Sequence, residues 1–237
     1  MTRKILFLFI ISTFSLSFLL LNACKKDDDT PTDDGPDYSQ DNGTFKDSRD
    51  GKTYKWVKIG SQIWLAENLA YEGGGKLITD SAQWAALNDD DTDAGYCYYD
   101  NDVSNKTKYG ILYSYAAALA ACPDGWHLAT DNEWTTMVQF IENDGHAISP
   151  GVALRAKTGW FNGGNGTDNY GFAALPGGSR NYSSGSFEYS PNHGFWWCVP
   201  QNGGNIACGR SLNNYSSDVL KGTFHKSIGF SVRCVKD

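Results

Sequence analysis

The residues with the widest chemical reach in this 237-residue chain are six cysteines: Cys24, Cys97, Cys122, Cys198, Cys208 and Cys234. A thiol can be acylated, bridged, bound to a metal or used as a nucleophile. None lies in Cys-x-x-Cys spacing, and His127, His146, His193 and His225 stand far apart, so a zinc site is not expected. Asp89, Asp91 and Asp93 alternate and Asp100 falls at the twelfth position from Asp89, faintly the rhythm of a calcium loop. Position six is Ala94 instead of glycine and no flanking helices are evident, so this stretch reads as a solvated acidic loop. No metal site and no cofactor is assigned. Hydrolysis has little support either, because Gly-x-Ser-x-Gly is absent and the scattered acids offer no pair whose proximity follows from spacing. The remaining chemistry is recognition. Trp160, Phe161, Asn162, Asp168, Asn169, Tyr182, Trp196 and Trp197 fall in a loop-rich half, where flat apolar rings beside directional polar groups make a sugar-binding surface. Trp160, Asn162, Asp168, Asn169, Tyr182 and Trp197 are the candidate ligand contacts. Neighbours on a strand point to opposite faces, so one sheet face buries only one of Trp196 and Trp197.

Cys24 has a different context. Thr2-Arg3-Lys4 precede an apolar run over residues 5–21, and Leu21-Asn22-Ala23-Cys24 follows. This is the order of an export signal, and a run of 17 residues, broken by Ser12, Thr13, Ser15 and Ser17, falls short of the ~20 a membrane-spanning helix needs. The Leu-x-Ala-Cys sequence resembles the bacterial lipobox, which implies cleavage after residue 23 and acylation of Cys24. Each buried methylene contributes ~0.8 kcal/mol, so several acyl chains make the attachment effectively permanent. Residues 24–43 hold seven Asp, two Pro and almost no large apolar side chain, the composition of a solvated tether. Cys-Lys-Lys-Asp-Asp-Asp resembles the acidic signal that sends lipoproteins to the outside of the outer membrane in the Bacteroidota. The expected partner is therefore a membrane reached through Cys24, and the expected location is the outer membrane, facing the exterior.

Loss of residues 1–23 removes Arg3 and Lys4 and no acid, leaving 18 basic residues against 27 acidic and a charge of −9. No basic stripe exists, which argues against nucleic acid. Residues 44–237 have the size of one domain and hold all 8 Trp. Residues 53–59 alternate, Gly60-Ser61 can turn, and residues 62–65 resume, predicting a β-hairpin. The apolar, alanine-rich residues 109–121 predict one buried helix. Thr130-Asp-Asn-Glu133 is a capping box that opens a second helix, with Trp134, Met137, Val138 and Ile141 on one face. Strands are expected over 194–199, 205–212 and 229–235, separated by Gly- and Asn-rich loops. The sum is an α+β domain with much irregular chain.

Several blocks together resemble the Fibrobacter succinogenes major paralogous domain. They are Asp50-Gly-Lys-Thr-Tyr54 with Trp64-Leu-Ala-Glu-Asn-Leu69; Tyr109-Gly-Ile-Leu-Tyr113; Cys122-Pro-Asp-Gly-Trp-His-Leu-Ala-Thr-Asp-Asn-Glu-Trp134; Gly171-Phe-Ala-Ala-Leu-Pro-Gly-Gly-Ser-Arg180; Phe195-Trp-Trp197; and Ile228-Gly-Phe-Ser-Val-Arg-Cys-Val235. The resemblance implies a fold like C-type-lectin-like domains and formylglycine-generating enzymes, with short antiparallel sheets, two helices and long irregular loops, and it brings no defined reaction. It implies a disulfide between Cys122 and Cys234, closing the domain as in lectin-like folds, and Cys198 and Cys208 on neighbouring strands would staple a hairpin. Cys97 is left over and expected to be a buried thiol. The expected function is a non-catalytic binding or adhesion module for a glycan or a surface protein. The alternative is an enzyme of formylglycine-generating-enzyme-like fold whose activity is unknown. Formylglycine-generating enzymes hold copper on paired cysteines, and Cys198 and Cys208 lie in a corresponding region. Their spacing is wider, however, and in an exported protein a structural bridge is the better reading.

Overall fold

A computed structural model describes residues 36–200 and 207–237. The expected signal segment, Cys24 and tether residues 25–35 lie outside the described residues. The folded chain begins earlier than the expected boundary at residue 44. Strand β1 (Asn42–Lys46) pairs antiparallel with β2 (Thr53–Ile59), and the Tyr38 ring lies 5.1 Å from that of Trp56. An acidic composition did not keep these residues out of the fold, because a single aromatic side chain found the edge of the core.

The hairpin forms where the alternation places it: β2 turns through Gly60 into β3 (Gln62–Leu65). Residues 109–121 do not form one helix. Gly110 adopts φ 76°, ψ −151°, outside helical space, and breaks the run into β6 (Leu112–Tyr113) and a short helix α3 (Tyr115–Leu119) capped by Ser114. Apolar runs of this length suit a buried strand as well as a helix, and periodicity does not separate them. Helix α4 (Asp131–Ile141) starts at the expected capping box, with the Thr130 hydroxyl accepting from the Glu133 amide and the Glu133 carboxylate accepting from the Thr130 amide. Its inward face carries Trp134, Met137 and Ile141, all fully buried.

The result is an α+β domain of several short sheets and few helices. The main sheet runs β1-β2-β3-β13-β7, where β7 is Trp126–Leu128 and β13 is Cys234–Lys236. Strands β4 (Lys76–Leu77) and β5 (Gly95–Cys97) join β6, while α1 (Ser81–Ala85) and α2 (Ser104–Tyr109) lie in the loops around them. Helix α5 (Pro150–Leu154) follows α4, and β8 (Ser179–Arg180) pairs with β9 (Phe187–Glu188). Strands β10 (His193–Cys198), β11 (Ala207–Asn213) and β12 (Leu220–Phe224) form an antiparallel sheet. Strand β12 went unexpected because Lys221 and its neighbours give it no apolar period. Residues 229–231 thread between these sheets, bridging Arg180, Tyr113 and Trp196.

Both faces of the central strands are covered. On β2, Tyr54 and Trp56 enter one core cluster, whereas Val57 and Ile59 enter another. On β10, Trp196 joins Trp134 and Trp64 while Trp197 joins Tyr115 and Phe230, and both indoles are 0 % exposed. The alternation rule holds, but a core on each side buries both.

Cys122 is bonded to Cys234 and Cys198 to Cys208, and Cys97 is a buried free thiol. A closed loop of 112 residues contributes about 5 kcal/mol in the chain-entropy view, and one of 10 about 3 kcal/mol. Burial pushes the Cys97 thiol up to about 12 against the pull of Arg180, so it is protonated and inert at neutral pH.

His127 on β7 ties the sheet to α4. Its Nε2 lies 2.7 Å from Glu133 Oε1 and its Nδ1 2.6 Å from Asp237 Oδ1. Burial works to lower its pKa, but the hydrogen bonds to Asp237 and Glu133 prevail and raise it above 6.5. A raised folded-state pKa gives stability that is fully present below the unfolded value and fades as pH climbs through the folded one. Melting temperature should therefore fall more steeply above pH 6.5 in the native chain than in His127→Gln. Parallel pH profiles of the two proteins would reject this assignment.

Candidate functional site

The site is built on a buried hydrogen-bond hub. Arg233, 0 % exposed, donates from Nε to Asn68 Oδ1 (2.9 Å) and from one terminal nitrogen to the carbonyls of Leu65 and Phe172 (2.8 Å each). Its other terminal nitrogen reaches the Ala173 carbonyl (3.3 Å), and its guanidinium lies 4.3 Å from the centre of the Phe172 ring. Burial pulls its pKa down to about 9, which leaves it charged at neutral pH. Asn68 completes the hub: its oxygen also accepts from the Trp196 indole (2.8 Å), and its amide donates to the Tyr109 carbonyl (2.8 Å) and to Ser231 Oγ (3.2 Å). All four hydrogen-bonding positions of one buried amide are thus used. The hub joins blocks more than a hundred residues apart and pins residues 172–173 against the end of β3.

That pinned segment forms one wall of an open cleft of about 1030 Å³. Asp168, Asn169 and Tyr170 stand on it, facing Lys55 and Lys58 of β2, Thr44 of β1, and Glu67. Asp168 holds φ +46° while its carboxylate accepts from the Ala173 amide (2.8 Å), so the turn is locked by its own side chain. Tyr170 donates to Asp144 (2.7 Å); burial, then that bond, pushes its pKa up to about 12. Burial tends to raise the Glu67 carboxyl, but the Lys55 amide and the Lys52 ammonium outweigh it and keep it below the ordinary range. The cleft therefore presents donors and acceptors held by their own hydrogen bonds, with the Glu67 carboxylate ionised and already paired with Lys52. It can hold a hydroxyl-rich ligand by directional hydrogen bonds.

The structure brings together only two of the expected contacts, Asp168 and Asn169. Asn162 is exposed on the turn after Trp160 and does not line this cleft. Tyr182 lies at a separate aromatic hollow with Asn181, Glu188 and Tyr189. Trp160 and Trp197 are not surface contacts. Trp160 is 5 % exposed and donates to the Ala174 carbonyl, and Trp197 is 0 % exposed and donates to the Tyr113 carbonyl. Their rings were needed to fill two cores, and their N–H groups found carbonyls in the loops. Sequence reasoning missed Glu67, Lys55 and Tyr170. Tyr170 adjoins Asn169 and was within reach; the other two come from a hairpin a hundred residues away.

The acidic loop is engaged internally: Asp89 accepts from the Lys226 amide and contacts His225, Asp91 pairs with the Lys226 ammonium (2.9 Å), and Asp93 accepts from Asn88. Among the described residues, the group of ligating atoms clustered within 4.8 Å is Asp131 with Cys198 and Cys208. Those sulfurs are bonded to each other, and Asp131 is held by Arg210 and by Lys221 (2.6 Å).

These features define a disulfide-braced α+β domain with a rigid, polar cleft. The chain belongs to the Fibrobacter succinogenes major domain family, whose model matches residues 57–236. No curated protein and no solved structure gives a match.

Asn68→Ala would orphan the Trp196 N–H and one Arg233 donor together, a loss on the order of 3 kcal/mol or more. Urea denaturation is the check, and a change below about 1 kcal/mol would remove Asn68 from the hub.

Proposed function

We propose that this chain is a non-catalytic binding or adhesion module, held on the outside of the outer membrane by acyl chains on Cys24, and that its cleft takes glycans. The observation that carries the ligand class is the cleft itself. Asp168, Asn169, Glu67, Lys55, Lys58 and Thr44 surround one open space; Arg233 holds the backbone at residues 172–173 and Leu65, and the β1–β2–β3 pairing holds that of Thr44, Lys55 and Lys58. Sugars are held by such fixed polar groups beside apolar surface, here supplied by Val57, Ala66 and Tyr170. The carboxylates contribute as acceptors, since Glu67 is held ionised and Asp168 locks its own turn. Support for a topology of the C-type-lectin-like or formylglycine-generating type comes from Cys122–Cys234, which ties the chain after α3 to the last strand, and from the long loops between short sheets. The proposal of surface display rests on the sequence of the first 43 residues.

Two measurements test this reading. A glycan array probed with the full mature chain should give a signal that drops at least about tenfold in the Asn169→Ala/Lys58→Ala variant, whose exposed side chains leave folding intact. An array without signal rejects glycans, and a signal indifferent to the pair moves the site out of the cleft. The mass of the mature protein from its native envelope should start at Cys24 and include the acyl increment; an unmodified Cys24 sinks the anchor.

A further inference from the structure

A second hollow, sharing no lining residue with the cleft, has a different chemistry. It measures about 280 Å³ and is walled by the rings of Tyr182, Tyr189, Phe195, Phe224 and Phe230. Phe195 and Phe230 lie parallel with centroids 4.9 Å apart, Phe224 stands edge-on to Phe230 at 4.9 Å, and Tyr189 stands edge-on to Phe195 at 5.6 Å. Phe230 is 2 % exposed and makes the floor; Tyr182 and Tyr189, the most exposed of the five, make the rim.

One charged side chain opens into this hollow, Glu188. Its Oε1 accepts from Asn181 Nδ2 (3.1 Å) and Ser186 Oγ (3.4 Å), while Oε2 has no donor and no basic side chain lies within 4.0 Å among the described residues. A carboxylate without a counter-ion beside five aromatic rings is a one-sided arrangement. Ring faces are negative and attract cations, and the apolar walls favour a cation that carries its charge under alkyl groups. A neutral sugar would leave the carboxylate unmatched, and an anion would be repelled by it. The flanking histidines do not supply the missing charge: burial keeps the pKa of His193, stacked on Phe195, low, and His225, stacked on Tyr182, faces Asp89.

The backbone at the rim is also unusual. Tyr189 holds φ +70°, a region costly for an aromatic residue, and its carbonyl accepts from the amides of Asn192 (2.6 Å) and His193 (2.9 Å). That conformation brings Glu188 and Tyr189, adjacent in sequence, to the same hollow instead of to opposite sides of a strand.

From this geometry we infer that the hollow is a binding site for a small alkylated ammonium ion, with Glu188 as the counter-ion and the five rings as the cage. It stands independently of the glycan reading.

Titration calorimetry of the full chain with choline and with 3,3-dimethylbutan-1-ol, its uncharged isostere, tests the assignment. Choline should bind at least about tenfold more tightly than the isostere, the margin expected when charge and several ring faces act together. Glu188→Gln should weaken choline by about fivefold or more and leave the isostere unchanged, and Tyr189→Leu should weaken choline also. Phosphocholine run alongside separates the sources: tighter binding than choline assigns a phosphorylated head group, weaker binding a free alkylammonium. Equal affinity for choline and its isostere, no heat with choline in the folded protein, or choline binding indifferent to Glu188→Gln overturns the proposal. The variant is near-isosteric, and an unchanged melting curve shows that lost binding is not lost folding.

Discussion

Buried guanidinium groups that donate to loop carbonyls are the interaction on which the rest of this domain depends. Arg233 meets the carbonyls of Leu65, Phe172 and Ala173; Arg180 meets those of Ile78, Thr79 and Gly185; Arg155 meets those of Asn213 and Ser216. None of the three is in a salt bridge among the described residues. Burying a cation without a carboxylate costs several kcal/mol unless its donors are all engaged. Irregular loops have the complementary problem, since their carbonyls lack the partners a helix or a sheet would give. In Arg233 and Arg180 all three nitrogens donate, so one planar group answers both difficulties at once, which a lysine could not do. Among the described residues Arg155 donates only from Nη1, and its Nε is buried without a partner. Aromatic faces complete the shell, with Trp84 and Phe187 about Arg180 and Phe172 about Arg233.

This solution explains how so much chain outside helices and strands can be rigid enough to serve a site. The wall carrying Asp168 and Asn169 is held where residues 172–173 meet Arg233, and the rim carrying Glu188 belongs to the β8–β9 pair in which Arg180 is buried. Arg180 and Arg233 come from two blocks that carry the family resemblance, Asn68, Trp196 and Ser231 of the hub come from such blocks too, and Arg155 lies outside them. The five residues from these blocks are therefore architectural in what they touch: their side chains turn inward, and the cleft borrows backbone that they fix, while Glu67 of the same blocks lines it.

The same logic sets what was legible in the sequence. Local rules succeeded where partners are close in the chain, as in the hairpin through Gly60 and the capping box at Thr130. They failed over residues 109–121, where Gly110 and tertiary pairing turned an apolar run into a strand and a short helix. They failed also for Trp160 and Trp197, because a domain that buries both faces of its strands draws inward aromatics that a one-faced sheet would leave outside. Part of each candidate site was readable, Asp168 with Asn169 in one and Tyr182 in the other. Glu67 with Lys55, and Glu188 with Tyr189, arrive through long-range register or a positive φ, and neither leaves a periodic trace.

The state of the polar groups bears on the kind of chemistry these surfaces suit. Acid–base catalysis needs a group whose pKa is moved toward the working pH, commonly by burial or by a like charge. In the cleft the forces run the other way. Glu67 is pulled below its ordinary range by an amide and an ammonium, Tyr170 is pushed up to about 12, and the Asp168 carboxylate is occupied by the turn that it locks. Glu67 and Tyr170 hold one protonation state across the neutral range, and all three groups are held in place by their own hydrogen bonds. Constant charge and fixed direction are what recognition of a polar ligand requires, since the entropy of ordering the site is then lost on folding and not on binding.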